Sequence, residues 1–438
     1  MSKLTVLSDV RITGWHTHDI RFPTSKGLHG SDAMNKDPDY SAAYIILETN
    51  IPDLKGHPLE GHGLTFTIGR GNDLCVAAAG MIAERLVGQS LSGIVSDMAG
   101  FWRFITGDSQ MRWLGPDKGV VHLATGAVVN AVWDLWAKAE QKPVWRLVAD
   151  MTPAELVSCI DFRYLTNALT PAEALAIFER AADGKEARIA ELLRRGYPAY
   201  TTSAGWLGYD DNTVRRAAHE AYDKGFRHFK LKVGANAADD HRRAKILREV
   251  IGPDAQIMFD ANQVWEVSEA ISSMAALAEF KPWFIEEPTS PDDILGHAEI
   301  RRAVAPIKVA TGEMCQNRIL FKQFMQADAL DIVQIDAVRV GGLNENLATM
   351  AMAAKFGKLI CPHAGGVGLC EYAQHLSMID YLVVSGSKEG RVCEFVDHLH
   401  EHFVDPCEVS DGHYVTPLAP GFNIEMKPQS ITDFTFRG

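Results

Sequence analysis

Phe229-Lys230-Leu231-Lys232-Val233-Gly234 is the stretch from which the fold of this 438-residue chain is read. Two lysines two residues apart in an apolar run project from one face of a strand, because strand side chains alternate with period two. Downstream, short apolar runs each end on a polar residue: Ile257-Met258-Phe259 on Asp260, Trp283-Phe284-Ile285 on Glu286, Val309-Ala310-Thr311-Gly312 on Glu313, Ile332-Val333-Gln334-Ile335 on Asp336, Leu359-Ile360-Cys361-Pro362 on His363, and Arg391-Val392-Cys393 on Glu394. From Lys232 onward the steps are 28, 26, 27, 23, 27 and 31 residues, each the length of one strand–helix unit. Polar residues at the carboxyl ends of successive buried strands are what a (β/α)8 barrel needs to gather distant groups around one mouth. Taken singly, a strand-end carboxylate or lysine is usually a solvated surface group. Independent surface charges have no reason to recur at the repeat of a fold.

Working outward, the length leaves room beside a barrel of about 250 residues for a second domain of about 150. The amino-terminal part reads as α+β. Strands are expected over Val6 to Gly14, Tyr40 to Glu48 and Gly63 to Ile68, and helices over Leu74 to Val87, Ile94 to Ile105 and Val120 to Ala139. Residues 1–150 form this domain and 151–197 a connecting helical segment, with a charged helical stretch from Pro171 to Arg195. Residues 198–400 form the barrel, starting with a strand at Ala199 to Ser203. Residues 401–438 read as an irregular, strand-like tail that packs back on the amino-terminal domain. Between the first two strands a Gly/Ser/Asp/Pro-rich loop spans residues 23–38; a loop of that length in a compact domain is expected to be functional, here a flap over the site.

A formal charge of -13 without a basic stripe argues against nucleic acid. No run of 18 apolar residues suggests a membrane span, and Met1 to Asp9 lacks a secretory or transit pattern, so the mature chain is expected to begin near Met1. Seven scattered cysteines with no CxxC read as buried free thiols in a reducing compartment, the cytoplasm.

The chemistry follows from the residue types. Asp260, Glu286 and Glu313, on three consecutive strands, would repel one another unless a cation joined them, and oxygen-only ligands suit Mg2+. Asn262, two residues beyond Asp260 on the same face, is a further ligand or a substrate-binding group. Glu287 reads as an ion-pair partner, and Asp331 as a strand-start residue facing the other end. Close ammonium groups and a divalent cation should lower the pKa of Lys232 and make it the base. Asp336, on the preceding strand, can hold one nitrogen of His363 and leave the other for proton transfer. Together these groups describe proton abstraction beside a carboxylate, with the metal stabilising the enediolate. In the flap, Asp32 and Asn35 supply polar groups suited to the distal hydroxyls of a polyol.

The set Lys230-Leu231-Lys232, Asp260-Ala261-Asn262, Ile285-Glu286-Glu287-Pro288, Gly312-Glu313 and Asp336/His363 resembles the mandelate racemase subgroup of the enolase superfamily. Other stretches resemble the L-fuconate dehydratases within it: Arg21 to Ser25, Gly30 to Met34, Arg112-Trp113-Leu114-Gly115-Pro116, Tyr200 to Ser203, Pro362 to Glu371 and Phe395 to His400. The resemblance implies a (β/α)7β modified TIM barrel under a capping domain made of the amino-terminal region and the carboxyl-terminal tail. It implies Mg2+ on Asp260, Glu286 and Glu313, Lys230 on the substrate carboxylate, Lys232 as base and His363 as acid. Glu394 would hydrogen-bond the enediolate. The expected reaction is dehydration of an acid sugar, L-fuconate to 2-keto-3-deoxy-L-fuconate, with another aldonate, racemisation or epimerisation of an α-hydroxy acid, or a barrel kept for binding without turnover as alternatives. A small-molecule acid sugar as partner, no nucleic acid, no membrane and a homo-oligomeric state complete the expectation.

Overall fold

The structure, a computed structural model, describes residues 7, 9–53, 56–115 and 117–437. The expected chain start and Pro116 of the Arg112–Pro116 motif lie outside the described residues. The amino-terminal sheet is an antiparallel meander of β1 (Ile12–Arg21), β2 (Ser41–Pro52) and β3 (Pro58–Thr67). The first strand therefore lies later than the Val6 to Gly14 expectation. Its middle, Trp15 to Asp19, is polar or half-exposed and gives a weak apolar alternation.

Helix Gly119–Ala139 packs across this sheet. It rides close to β3 because Gly61 and Gly63 carry no side chain; a Cβ there would stand 2.4 Å from the Ala131 carbonyl oxygen and 2.1 Å from that of Ala127. This helix is long and apolar enough to cross a membrane, yet 78% of its apolar window is buried inside the fold. Two of its side chains reach the barrel: Asn130 donates to the Ala337 carbonyl at 2.9 Å, and Trp133 donates to Asn344 at 2.8 Å.

Two expected helices are each broken in two. Ile94 to Ile105 becomes Leu91–Val95 and Met98–Thr106, because Asp97 caps the second by accepting from Gly100 N–H at 2.8 Å. Pro171 to Arg195 divides into Pro171–Ala182 and Lys185–Arg195, since Gly184 turns left-handed (φ +72°) at the second helix's start.

The barrel comprises β4 (Tyr197–Thr201), β5 (His228–Lys232), β6 (Gln256–Asp260), β7 (Phe284–Glu286), β8 (Lys308–Thr311), β9 (Ile332–Val333), β10 (Leu359–Ile360) and β11 (Cys393–Phe395). Neighbours pair parallel in sequence order, and β11 pairs back onto β4. Glu394 N–H donates to the Pro362 carbonyl at 3.3 Å beside β10, so the ring closes as (β/α)7β. Tyr200, Met258, Phe284, Ala310 and Ile332 on their strands, with Cys361 just past β10 and Val392 just before β11, fill a second interior cluster. This is the layered side-chain filling of such barrels.

The tail differs from expectation. A hairpin of β12 (Val409–Ser410) and β13 (His413–Tyr414) pairs with the start of β4, and helix Pro428–Phe434 precedes a bridge from Thr435 to Ile20 of β1. The tail thus touches both the barrel and the amino-terminal sheet.

Candidate active site

Strand register brings the site together. Lys232 pairs laterally with Asp260, and Asp260 with Glu286, so three strand ends stand side by side at one level. Glu313 arrives differently, two residues beyond β8, through Gly312 at φ +151°. A Cβ at Gly312 would lie 2.4 Å from the Gln334 carbonyl oxygen, so the turn that delivers Glu313 admits little but glycine. Asp336 and His363 likewise lie three residues past strands that are shorter than their apolar runs suggest.

Oxygens of Asp260, Glu286 and Glu313 lie within 4.8 Å of one another. Buried oxygens of Glu286 and Glu313 lack a hydrogen-bond partner, and the donor set is all carboxylate, so the trio fits a hard divalent cation. The protein's own counter-charges are the lysines. Lys230 Nζ stands 2.7 Å from Glu286, 2.9 Å from Glu394 and 3.3 Å from Asp260; Lys232 Nζ donates to Asp260 at 2.5 Å and to Asn262 at 2.9 Å.

The protein's own charges act on Lys232 in the opposite sense to a bound cation. Burial pulls the ammonium down, but Asp260 outweighs it, and despite the opposing Lys230 the amine is held above the usual lysine range. A cation on the trio would counter the raising charges and leave burial and Lys230, which both lower it. Burial and then Asp260 push Glu286 well above the usual carboxylate range, as expected for like charges sharing a site.

On the other wall His363 Nδ1–H donates to Asp336 at 2.7 Å, and Asp336 in turn accepts from the Val338 and Arg339 N–H groups at 2.7 and 2.8 Å. Burial disfavours the imidazolium, but Glu313 at 3.3 Å, Asp336 and Glu394 overcome it and push His363 up to about 10. Gly365 N–H approaches Nε2 at 3.2 Å and favours the neutral ring instead. The carboxylate charges are the stronger influence. Glu394 accepts from Thr202 at 2.5 Å and from Ala364 N–H at 2.9 Å; burial would raise its pKa, but Lys230 and His363 keep it low.

Glu287 is not an ion-pair partner. It is fully buried, accepts from Gln263 at 2.8 Å and has a second oxygen without a hydrogen-bond partner; burial holds it well above the usual range. Asp331 accepts from Arg301 at 2.8 Å at the opposite strand end.

A cavity of about 360 Å3 joins these walls, with Lys232, Asn262, Glu313, Asp336, His363 and Glu394 in its lining. Loop residues Asp32 and Asn35 line its outer part.

Residues 213–430 match the family model described as enolase C-terminal domain-like. The chain is 57% identical to L-galactonate dehydratase of Hypocrea jecorina over 99% of its own length and 95% of that protein's. The chain belongs to the enolase superfamily. It is also 54% identical to human mitochondrial enolase superfamily member 1 over 96% of this chain and 95% of that one. The crystal structure of the human protein superposes with a TM-score of 0.95 at 53% identity, covering 97% of this chain and 96% of that one. L-talarate/galactarate dehydratase of Salmonella typhimurium LT2, solved with Mg and L-lyxarohydroxamate, shares the fold at a TM-score of 0.75 and 24% identity, covering 98% and 94%.

In this enolase-superfamily site three contributors were not singled out by residue-level reading. Thr202 orients Glu394; Trp206 lies with its ring 5.6 Å from Lys232 Nζ; Arg339 lines the cavity and donates to the Glu313 carbonyl at 2.9 Å. Each follows a strand by a few residues, in loops where no periodic signal marks a site. The resemblance quoted at Tyr200 to Ser203 was the one pointer to Thr202.

Proposed function

We propose that this protein is a Mg2+-dependent acid-sugar dehydratase acting on aldonates of L-galacto configuration, with L-fuconate converted to 2-keto-3-deoxy-L-fuconate and water. The observation that carries the reading is one cavity lined by Lys232, by the Asp336–His363 pair and by Glu313, whose oxygens lie within 4.8 Å of those of the buried Asp260 and Glu286. The similarity to a protein named L-galactonate dehydratase supports the class and favours a second substrate. L-fuconate is the 6-deoxy form of L-galactonate, so the two share every stereocentre and differ only at C6.

Asp260, Glu286 and Glu313 would hold the Mg2+, which as a Lewis acid supplies charge stabilisation for a carboxylate whose α-carbon loses a proton. Lys230, held among Glu286, Glu394 and Asp260, positions the substrate carboxylate. Lys232 in its neutral form takes the C2 proton. His363, as imidazolium, gives a proton to the departing C3 hydroxyl, which leaves as water; the resulting enol becomes the 2-keto-3-deoxy acid. Asp336 fixes the His363 ring so that Nε2 faces the cavity, and Glu394 holds the developing enol oxygen by hydrogen bonding. Asn262, bonded to Lys232, binds substrate rather than metal in this reading. Buried free thiols suit a reducing compartment, the cytoplasm in this reading. The expected homo-oligomer belongs to the same proposal and is decided by sedimentation of the purified chain.

The test is turnover with Mg2+ on a panel of acid sugars, scored by the colour reaction for 2-keto-3-deoxy acids. L-fuconate and L-galactonate should lead. Release of epimer without keto acid would replace dehydration by epimerisation, and activity confined to L-galactonate would remove L-fuconate.

A further inference from the structure

Outside the active-site cavity, a second cluster combines two thiols, an imidazole and a carboxylate. Cys370 and Glu371 open the helix Leu369–Ile379, which follows the loop from His363. His400 lies in the short turn His400–His402 beyond β11, and Cys407 follows in the tail. The ligand atoms of Cys370, His400 and Cys407 lie within 4.8 Å of one another. None of the three lines the active-site cavity.

The geometry within the cluster is that of a ligand set. Cys407 Sγ stands 3.5 Å from His400 Nδ1. Tetrahedral zinc, with Zn–S of about 2.3 Å and Zn–N of about 2.0–2.1 Å, sets that separation at about 3.6 Å. His400 Nε2–H donates to the Val396 carbonyl at 2.8 Å, and Phe395 stacks on the ring at 5.3 Å with planes 10° apart. An outer hydrogen bond from the far nitrogen to a backbone carbonyl is how metal-binding imidazoles are oriented. It leaves Nδ1 facing Glu371 and the two sulfurs. Glu371 is completely buried; one oxygen lies 2.7 Å from His400 Nδ1, and the other has no hydrogen-bond partner. That unpartnered oxygen is the independent sign that the cluster is built for something further, since an orphaned buried carboxylate oxygen is costly.

We propose that Cys370, His400 and Cys407, with Glu371 beside them as a charge partner, form a binding site for Zn2+ or a similar borderline divalent cation, separate from the all-oxygen trio. Two sulfur ligands and an imidazole select such a cation over Mg2+. Binding forms three bonds from protein to metal, releases the two thiol protons and the Nδ1 proton of His400 to solvent, and moves no electron. Without the cation, Glu371 accepts that Nδ1–H instead. The three ligands lie outside the active-site cavity, so the role is structural. The site pins residues 400–407 to the helix that starts just after the His363 loop. His400, with its side chain 17% exposed, gives the cation a way in.

Full-length protein, stripped by chelator under reducing conditions, is titrated with Co2+. A thiolate-to-cobalt charge-transfer band in the near ultraviolet should grow to one equivalent and bleach on adding Zn2+. It should vanish in Cys370→Ser and Cys407→Ser and persist in Glu313→Gln, because an all-carboxylate site has no sulfur. Absence of the band in the wild type, or its persistence in both serine variants, overturns the proposal. Should the serine variants fail to fold, alkylation of the wild type decides. Zn2+ at about 100 times its Kd should slow labelling of Cys407 by about 100-fold and leave Cys75 unchanged. Unchanged labelling of Cys407 overturns it as well.

Discussion

At the barrel mouth Lys232, Asp260 and Glu286 stand side by side because the strand ladder sets their register, whereas in the cap loop Asp32 is placed by the loop's own short-range bonds. The Asp32 carboxylate accepts from Met34 N–H at 2.8 Å, Asn35 N–H at 2.6 Å and the Asn35 side chain at 3.1 Å. The loop is closed at its base by Thr24, whose hydroxyl donates to the Pro38 carbonyl at 2.8 Å, and by Ser25 bonding to Asp39 at 2.7 Å. One region is held by long-range pairing and the other by local turn chemistry. Changes at the mouth should therefore remove chemistry with the scaffold intact, and changes in the loop should shift recognition.

The trio offers the largest effect. Glu313→Gln and EDTA treatment should each abolish turnover while circular dichroism stays native, because a site of three anionic ligands needs charge as much as geometry. Full activity in chelator-stripped protein would remove the trio from the chemistry.

Next come the two proton-transfer walls, which isotope exchange separates. Lys232→Ala should lower dehydration by about 10²- to 10⁴-fold and stop exchange of the C2 proton with deuterated water. His363→Asn should lose dehydration by a similar factor and still exchange that proton. Near wild-type exchange in Lys232→Ala would move the base elsewhere.

The same contrast explains what was legible in the sequence. The barrel could be read because one strand–helix unit repeats and each apolar run ends on a polar residue, so Lys232, Asp260 and Glu286 fell out of spacing. Glu313, Asp336 and His363 were found although their strands end early, because the apolar run continues to the polar residue even where the ladder stops. How strongly the protein's own carboxylates hold the Lys232 proton was not legible, since it depends on Asp260 at 2.5 Å, a distance no spacing reveals. Nor was the role of Asp32. A turn rich in Asp and Asn reads equally as a substrate contact or as its own staple, and Asp32 has both the loop's own bonds and a place in the cavity lining. Thr202 and Arg339 sit in loops that carry no period.

A third prediction concerns the seam between the two regions. His122, on the helix Gly119–Ala139, stands 2.6 Å from Glu345 on the barrel helix Leu343–Lys355, with Arg318 at 3.3 Å. Burial opposes ionisation of Glu345, but His122 and Arg318 outweigh it and bring the pKa down to about 2. A depressed carboxylate stabilises the fold fully above its unfolded value, near 4.3, and that contribution is lost as pH falls toward 2. It amounts to something on the order of 3 kcal/mol. Acid unfolding in this window should flatten in Glu345→Gln relative to wild type, with the neutral-pH stability of the variant also lower. An unchanged acid limb would mean that Glu345 does not control it.

The smallest effect, and the sharpest test of the comparison, is Asp32→Ala. If Asp32 reads a distal hydroxyl, its loss should raise KM for the preferred acid sugar and reduce discrimination against stereoisomers by about 1 to 3 kcal/mol. If it only staples the loop, all sugars should lose kcat/KM by the same factor, because the N–H groups of Met34 and Asn35 lose their acceptor whatever the substrate. Asp32→Asn separates the two further: its side-chain carbonyl can still accept from those N–H groups, so the staple survives while the charge facing the cavity is gone. Metal affinity should be unchanged in both variants, since Asp32 is not one of the three carboxylates. The measurement is kcat/KM on four to six acid sugars; rank order altered in Asp32→Asn assigns the carboxylate to the substrate, and rank order kept in both variants assigns it to the loop.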